Sequence, residues 1–214
     1  MNNCRQLGPN EKLIGVKNSR LELSTPSLVL DLDCLEKNID HMSAFMKKTD
    51  CNLRPVAKIH KSVEIAKRQI KAGAIGVCCA TLSEAEVMAQ GGVSGVLLFS
   101  SVVNKEKINR LCKLNSYADG LIVSVDSKIN IDELAYAART KSSKPLSLLV
   151  DVEVGGKRTG VTSETVAIDL ARSALMLFQT QESAPRTNEY DSELGRTLNG
   201  QKILEEIITA NPKK

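Results

Sequence analysis

The sequence predicts an α/β fold, a (β/α)8 TIM-type barrel that is incomplete at about five to six βα units. Three observations predict it. Apolar runs alternate with longer amphipathic segments, the pattern of βαβ units around a parallel sheet. The runs are apolar on both faces, as a sheet covered by helices requires. A chain of 214 residues is long enough to bury a sizeable core.

Taken in order, residues 1–24 are polar and irregular, and Thr25-Pro26 punctuates them. SLVLDLD then reads as a strand. LEKNIDHMSAFMKK places Leu35, Ile39, Met42 and Met46 at helical spacing. RPVAK reads as the first barrel strand, with Pro55 at its start or at a bulge, because proline donates no ladder hydrogen bond. SVEIAKRQIKAG is a helix closing on Gly73, and GVCCAT a short strand. SEAEVMAQGG opens with Ser83 to Glu86 in the form of a capping box. GVLLFSS is a strand, and Asn104 caps the helix KEKINRLCKL. GLIVSVDS, INIDELAYAARTKS, LSLLVDVEV and SETVAIDLARSA continue the alternation. LMLFQTQ is open as one further strand, which sets the count at five or six. A closed barrel needs eight. The domain reading is an irregular segment (1–24), a partial barrel (25–181), and a polar tail with a terminal helix (182–214). Free sheet edges offer unpaired backbone groups. A homo-oligomer or a complementing fragment is therefore expected.

Composition excludes several classes. The net charge is +4, but the basic residues are interleaved with acids, and three Tyr, three Phe and no Trp leave few platforms for stacking bases. No nucleic-acid partner is expected. The six cysteines (Cys4, Cys34, Cys51, Cys78, Cys79, Cys112) form no C-x-x-C pair. They read as reduced thiols of a cytoplasmic protein. The start, MNNCRQLGPNEK, has no apolar signal core, and VSGVLLFSSVV is too short to span a bilayer. No membrane partner is expected.

The chemistry concentrates in LRPVAKIHKS, residues 53–62. Barrel enzymes build their sites at the C-terminal ends of strands, where Lys58 falls. A lysine there forms a Schiff base with a carbonyl if burial or neighbouring cations lower its pKa. Lys61 and His60 are the candidate cations. On the residues alone, a solvated basic turn is the commoner outcome.

Four landmarks change that weighting. They are TPSLVLDLD, R-P-x-x-K-x-H-K-S at 54–62, GVCCATLSEAE, and LLVDVEVGGKRTGV. In this order they resemble the D-threonine aldolase and D-serine dehydratase family, pyridoxal-phosphate enzymes of the alanine racemase fold type. The resemblance spans roughly residues 25 to 175. It implies an alanine racemase-type N-terminal barrel and a lyase acting on small D-3-hydroxy amino acids. The broken bond is Cα–Cβ in an aldolase, or Cα–H followed by loss of hydroxide in a dehydratase. Nothing in the sequence separates the two.

Carried over residue by residue, Lys58 matches the catalytic lysine that holds pyridoxal phosphate as an aldimine. Arg158 matches the cofactor-binding arginine that faces the ring; whether it meets the ring nitrogen or the phenolic oxygen is open. A cation at the nitrogen would keep it unprotonated and weaken the electron sink. The plain alternative for Arg158 is a surface basic pair in a glycine loop. His60 falls on the second histidine of the motif, and two roles are open, positioning the cofactor linkage or capping the next helix. Ser83, Glu84 and Glu86 read as capping. Asp151 and Glu153 face the barrel interior or pair with lysines, with pairing preferred.

The departures are specific. Val56 stands where the family usually has histidine. FQTQESAPRTNEYD replaces the family's later aromatic-glycine and glutamine-histidine landmarks. On this resemblance the chain is expected to lack the C-terminal β domain and, with it, the ligands of the divalent metal expected in the family. His41 lies on a helix without partners at metal-ligand spacing. A truncated lyase, weakly active or inactive alone, is expected. The alternatives are a non-catalytic remnant that binds cofactor weakly, or a protein partner through its open edge, and an unrelated cofactor-free Schiff-base aldolase.

Overall fold

The computed structural model describes residues 8–49, 51–142 and 144–179. They fall into two units, one up to Met42 and one from Ser43. In the first unit, short 3-10 turns cover Glu11–Leu13 and Ser19–Glu22. The Asn10 amide closes the segment, donating to Ser27 Oγ at 3.1 Å and accepting from Ser24 N–H at 2.8 Å.

The strand expected in SLVLDLD does not form. Residues 27–31 have no regular structure, and Leu28, Val29 and Leu30 are exposed. Helix α1 (Leu32–Lys47) begins within the expected strand. Asp31 starts it, its carboxylate accepting the Cys34 N–H at 2.9 Å. A side-chain cap of this kind fixes a helix N-terminus locally.

The second unit is a four-stranded parallel sheet of β1 (Val77–Cys79), β2 (Val96–Leu98), β3 (Ile122–Val125) and β4 (Ser147–Val150), in sequential order. Helices α2 (Val63–Lys71), α3 (Leu82–Gln90), α4 (Lys105–Tyr117), α5 (Lys128–Lys141) and α6 (Glu164–Gln179) alternate with the strands. The architecture is the α/β partial barrel that the alternation predicts. Among the described residues, no helix is long and apolar enough to cross a membrane.

Three expectations are corrected here. RPVAK is not a regular strand; it meets β1 through a single bridge, Val56 to Cys78. The Leu53 and Pro55 carbonyls accept from Ile75 and Cys78 N–H at 2.8 and 2.7 Å. Pro55 therefore sits where only its acceptor is used, and the chain leaves the sheet straight afterwards into a 3-10 turn, Ala57–Ile59. LMLFQTQ is not a strand as far as Gln179. Helix α6 runs through it, with no glycine or proline to stop it and with Leu170 and Ala174 buried one turn apart. Thr180 and Gln181 lie outside the described residues, as does the polar tail. The cap of α3 is Thr81 rather than Ser83, its Oγ1 accepting from Glu84 N–H at 3.2 Å. Ser83 and Glu86 instead hold Arg110 of α4, at 3.2 Å from Ser83 Oγ and 3.0 Å from Glu86 Oε1.

Ser62, Asn104 and Ser127 cap α2, α4 and α5. Most of these caps stand a few residues after a strand, so each helix starts close to the strand's C-terminal end. The core is Val77, Cys79, Val96, Leu98, Val123 and Val125 against Ala66, Ala85, Met88, Leu111, Leu114, Ile131 and Leu134. Burying each large side chain contributes about 1.5–3 kcal/mol. At the opposite end of the sheet, backbones crowd. A Cβ on Gly95, which has φ +65°, would lie 2.2 Å from the Ile75 carbonyl oxygen.

Candidate functional site

Parallel strands put every strand's C-terminal end on one side. That side gathers the Lys58 turn, Phe99 after β2, Asp126 after β3, and the loop from Asp151 to Val161 after β4. Two of these segments are joined, since Ser101 Oγ donates to Asp126 Oδ1 at 3.2 Å.

Lys58 is an exposed residue of the Ala57–Ile59 turn. The turn is tight because the Ala57 carbonyl accepts from both His60 and Lys61 N–H, at 3.2 and 2.8 Å. Ala57 itself is buried and anchors it. The Lys58 Nζ lies 5.9 Å from the centre of the Phe99 ring, within cation–π reach. Phe99 is in turn fixed by its N–H on the Cys79 carbonyl at 3.1 Å. The result is a primary amine held at the strand ends beside an aromatic face. Such a donor fits an aldehyde-bearing cofactor.

The cations expected around Lys58 are not free. Lys61, held at φ +49°, pairs with Glu84 at 3.3 Å. Glu84 also accepts the Ala80 N–H at 2.9 Å. Its burial works against the charge, but the Ala80 N–H and Lys61 outweigh it and hold the carboxyl below its ordinary range. Burial also pushes His60 below the ordinary imidazole value, against the Gln69 side chain and the Ser62 amide, which act to raise it.

His60 Nδ1 accepts the Ser62 N–H at 3.0 Å. That contact fixes the neutral tautomer with its proton on Nε2. Of the two roles open for His60, the geometry supports the helix start, because Ser62 is the residue that caps α2. Among the described residues, His60 Nε2 and Gln69 Oε1 are both buried without a partner of normal hydrogen-bond geometry. One is a donor and the other an acceptor.

Arg158 is exposed, in the loop after β4. The loop is closed at its base by Glu153 N–H on the Val161 carbonyl (2.9 Å) and Val161 N–H on the Asp151 carbonyl (3.0 Å). The Glu153 carboxylate turns back onto the loop, accepting the Gly155 N–H, and among the described residues it pairs with no lysine. The N–H groups of Lys157, Gly155 and Gly156 hold it below the ordinary carboxylate range. Lys58 and Arg158 share one side of the sheet but stand on its two edges. Lys58 follows the segment bridged to β1, and Arg158 follows β4 at the other end of the strand order.

Sequence reasoning missed Phe99 and Arg54. Phe99 had a signal, one of only three phenylalanines placed at a strand end. Arg54, with a buried Nε that has no partner among the described residues, lies near enough to Cys78 to oppose the rise that burial causes in that thiol. Cys79 is pushed up to about 12 by burial, so it is no nucleophile. A groove of about 200 Å3 lies between α4 and α5, lined by residues that include Lys105, Tyr136 and Lys141, and takes in none of Lys58, His60 or Arg158. Among the described residues, no group of three or more His, Cys, Asp or Glu is placed to hold a metal ion.

The family described as the alanine racemase N-terminal domain matches residues 30–178. A 3-hydroxy-D-aspartate aldolase of Paracoccus denitrificans (strain Pd 1222) is 39% identical over 154 residues, covering 72% of this chain and 40% of the relative. A D-threo-3-hydroxyaspartate dehydratase of Delftia sp. (strain HT23) is 30% identical over 156 residues, covering 73% and 40%. The crystal structure of D-threonine aldolase from Filomicrobium marinum superposes with a TM-score of 0.68 at 38% identity, covering 71% of this chain and 41% of that one. The chain spans about 40% of the length of the curated relatives it matches. The matched stretch takes in all four strands, the Lys58 turn and the Arg158 loop, and the chain belongs to the alanine racemase N-terminal domain family.

Proposed function

We propose that this chain carries the cofactor-attachment side of a pyridoxal-phosphate-dependent lyase acting on D-3-hydroxy amino acids, of the D-threonine aldolase or D-serine dehydratase type. The observation that carries the reading is the Lys58 amine, held at the strand ends over Phe99 by a turn anchored on Ala57. When bound, pyridoxal phosphate supplies an electron sink for the pair released when a bond to the substrate's Cα breaks.

Lys58 would hold the cofactor through its aldehyde carbon. Phe99 limits where its amine travels and shields one side from water. The Lys61–Glu84 pair draws the neighbouring ammonium towards α3, so Lys58 is the turn's lysine without an ion pair among the described residues. His60, kept neutral by burial, secures the start of α2 and hence the turn before it. Arg158 brings a positive charge to the same side of the sheet, where it would act on the cofactor ring.

The test is optical and chemical. Pyridoxal phosphate bound through a lysine absorbs in the visible, and the band is expected in the wild type and absent in Lys58→Ala. With D-threonine as substrate, an aldolase releases glycine and acetaldehyde, whereas a dehydratase releases 2-oxobutanoate and ammonia. A band of equal strength in Lys58→Ala would defeat the proposal.

A further inference from the structure

We propose that Glu153 is a positioning residue that locks the Gly155–Gly160 loop and thereby sets Arg158 at the cofactor side of the sheet. This rests on the reading of Arg158 given above. Glu153 follows β4 by three residues, and its backbone N–H already closes the loop on Val161. Its side chain then turns inward. Oε1 accepts the Gly155 N–H, and the same carboxylate draws on the N–H groups of Lys157 and Gly156. Successive amides converging on one anion form a nest, and here the anion is supplied in cis.

The loop's shape demands this arrangement. Lys157 sits at φ +48°, a strained conformation for a side-chain-bearing residue, and it immediately precedes Arg158. A Cβ on Gly160 would lie 2.8 Å from Glu153 N and from the Val152 carbonyl carbon, so the two arms of the loop are in contact. Glu153 thus contributes both the closing backbone bond and the charge that holds the tip. Without the carboxylate, the Gly155 N–H loses its acceptor, and the Lys157 and Gly156 amides lose the anion they face. Arg158 would then be free to swing.

The test uses Glu153→Ala, Glu153→Gln, Arg158→Ala and the double variant of Glu153→Ala with Arg158→Ala, on the full chain. Two readouts are taken. The first is the rate of tryptic cleavage after Lys157 and Arg158, which needs no cofactor. The second is pyridoxal-phosphate affinity together with the pH titration of its visible band. Glu153→Ala is expected to speed cleavage at the loop about tenfold, as lost charge-assisted hydrogen bonds release it. It should also weaken cofactor binding and shift the titration in the same sense as Arg158→Ala. Glu153→Gln, which keeps an acceptor oxygen, should recover part of both and guards against a folding defect in the alanine variant. In the double variant, loss of Glu153 should add nothing to the loss of Arg158, because one acts through the other. Additive effects, or an unchanged titration in Glu153→Ala while Arg158→Ala shifts it, would overturn the positioning role alone. An unchanged affinity and titration in Arg158→Ala would overturn the reading of Arg158 and the positioning role with it.

Discussion

The Lys61 ammonium lies 3.3 Å from the Glu84 carboxylate, joining the turn that carries Lys58 to the first turn of α3. Glu84 has a second task, because it also accepts the Ala80 N–H as the chain leaves β1. The two partners should therefore matter unequally. Lys61 is 66% exposed, so Lys61→Ala is expected to cost less than about 1 kcal/mol. Glu84→Ala removes the acceptor of a backbone N–H and half of a reciprocal cap, and should cost about 1–2 kcal/mol in urea unfolding. The Glu84 carboxyl is held below its ordinary range. Its contribution is therefore full above the unfolded value of about 4.3 and is lost as pH falls through the folded one. Equal costs for the two variants would refute the assignment.

His60 gives a second dependence on pH. Burial lowers its folded value below that of the unfolded chain. The folded state therefore binds the proton less readily than the unfolded state. Stability from this group is complete above about pH 6.5 and falls as pH drops through that value. Protonation would also destroy the Nδ1 acceptor that receives the Ser62 N–H. Urea midpoints measured from about pH 8 to about pH 5 should fall in the wild type. His60→Asn keeps an acceptor but cannot titrate, so the fall over that window should flatten. An identical profile in the two proteins would remove His60 from the account.

Gly95 tests the packing at the strands' entry side. Its φ of +65° and a would-be Cβ 2.2 Å from the Ile75 carbonyl oxygen leave no relaxed solution. Gly95→Ala should cost more than about 2 kcal/mol, because backbone rather than a flexible side chain must move. Gly92, also at positive φ but with nothing within 4 Å of a Cβ, should lose only the backbone penalty of about 1 kcal/mol on the same change. Chemical unfolding of the two variants checks the contrast.

The alternation was legible in the sequence wherever local signals agreed with packing. The segments at β1, β2, β3 and β4 combined apolar runs with nearby caps, and Asn104 was read correctly because its side chain acts within three residues. The errors fell where a local pattern lacked its partner. SLVLDLD alternates like a strand, yet Asp31 caps a helix that starts inside it. LMLFQTQ is rich in large apolar residues, but burial of Leu170 and Ala174 continues the helical face into it. The place of Lys58 on the strands' C-terminal side was legible from the alternation, but its lying in a 3-10 turn after a single bridge was not. The roles of Lys61 and Glu153 were not, because an ion pair to Glu84 and a carboxylate folded onto its own loop are set by three-dimensional closure. Charge type and spacing alone do not encode them.

The central claim is that Lys58 is the amine that takes the cofactor's aldehyde. The most direct measurement is to incubate the chain with pyridoxal phosphate, reduce with borohydride, digest, and map the modified peptides. The account predicts that label concentrates on Lys58, that Lys61 stays largely unmodified behind Glu84, and that Lys58→Ala abolishes the main site. Label spread at similar yield over Lys61 and the other exposed lysines, or full labelling of the Lys58→Ala chain, would contradict it.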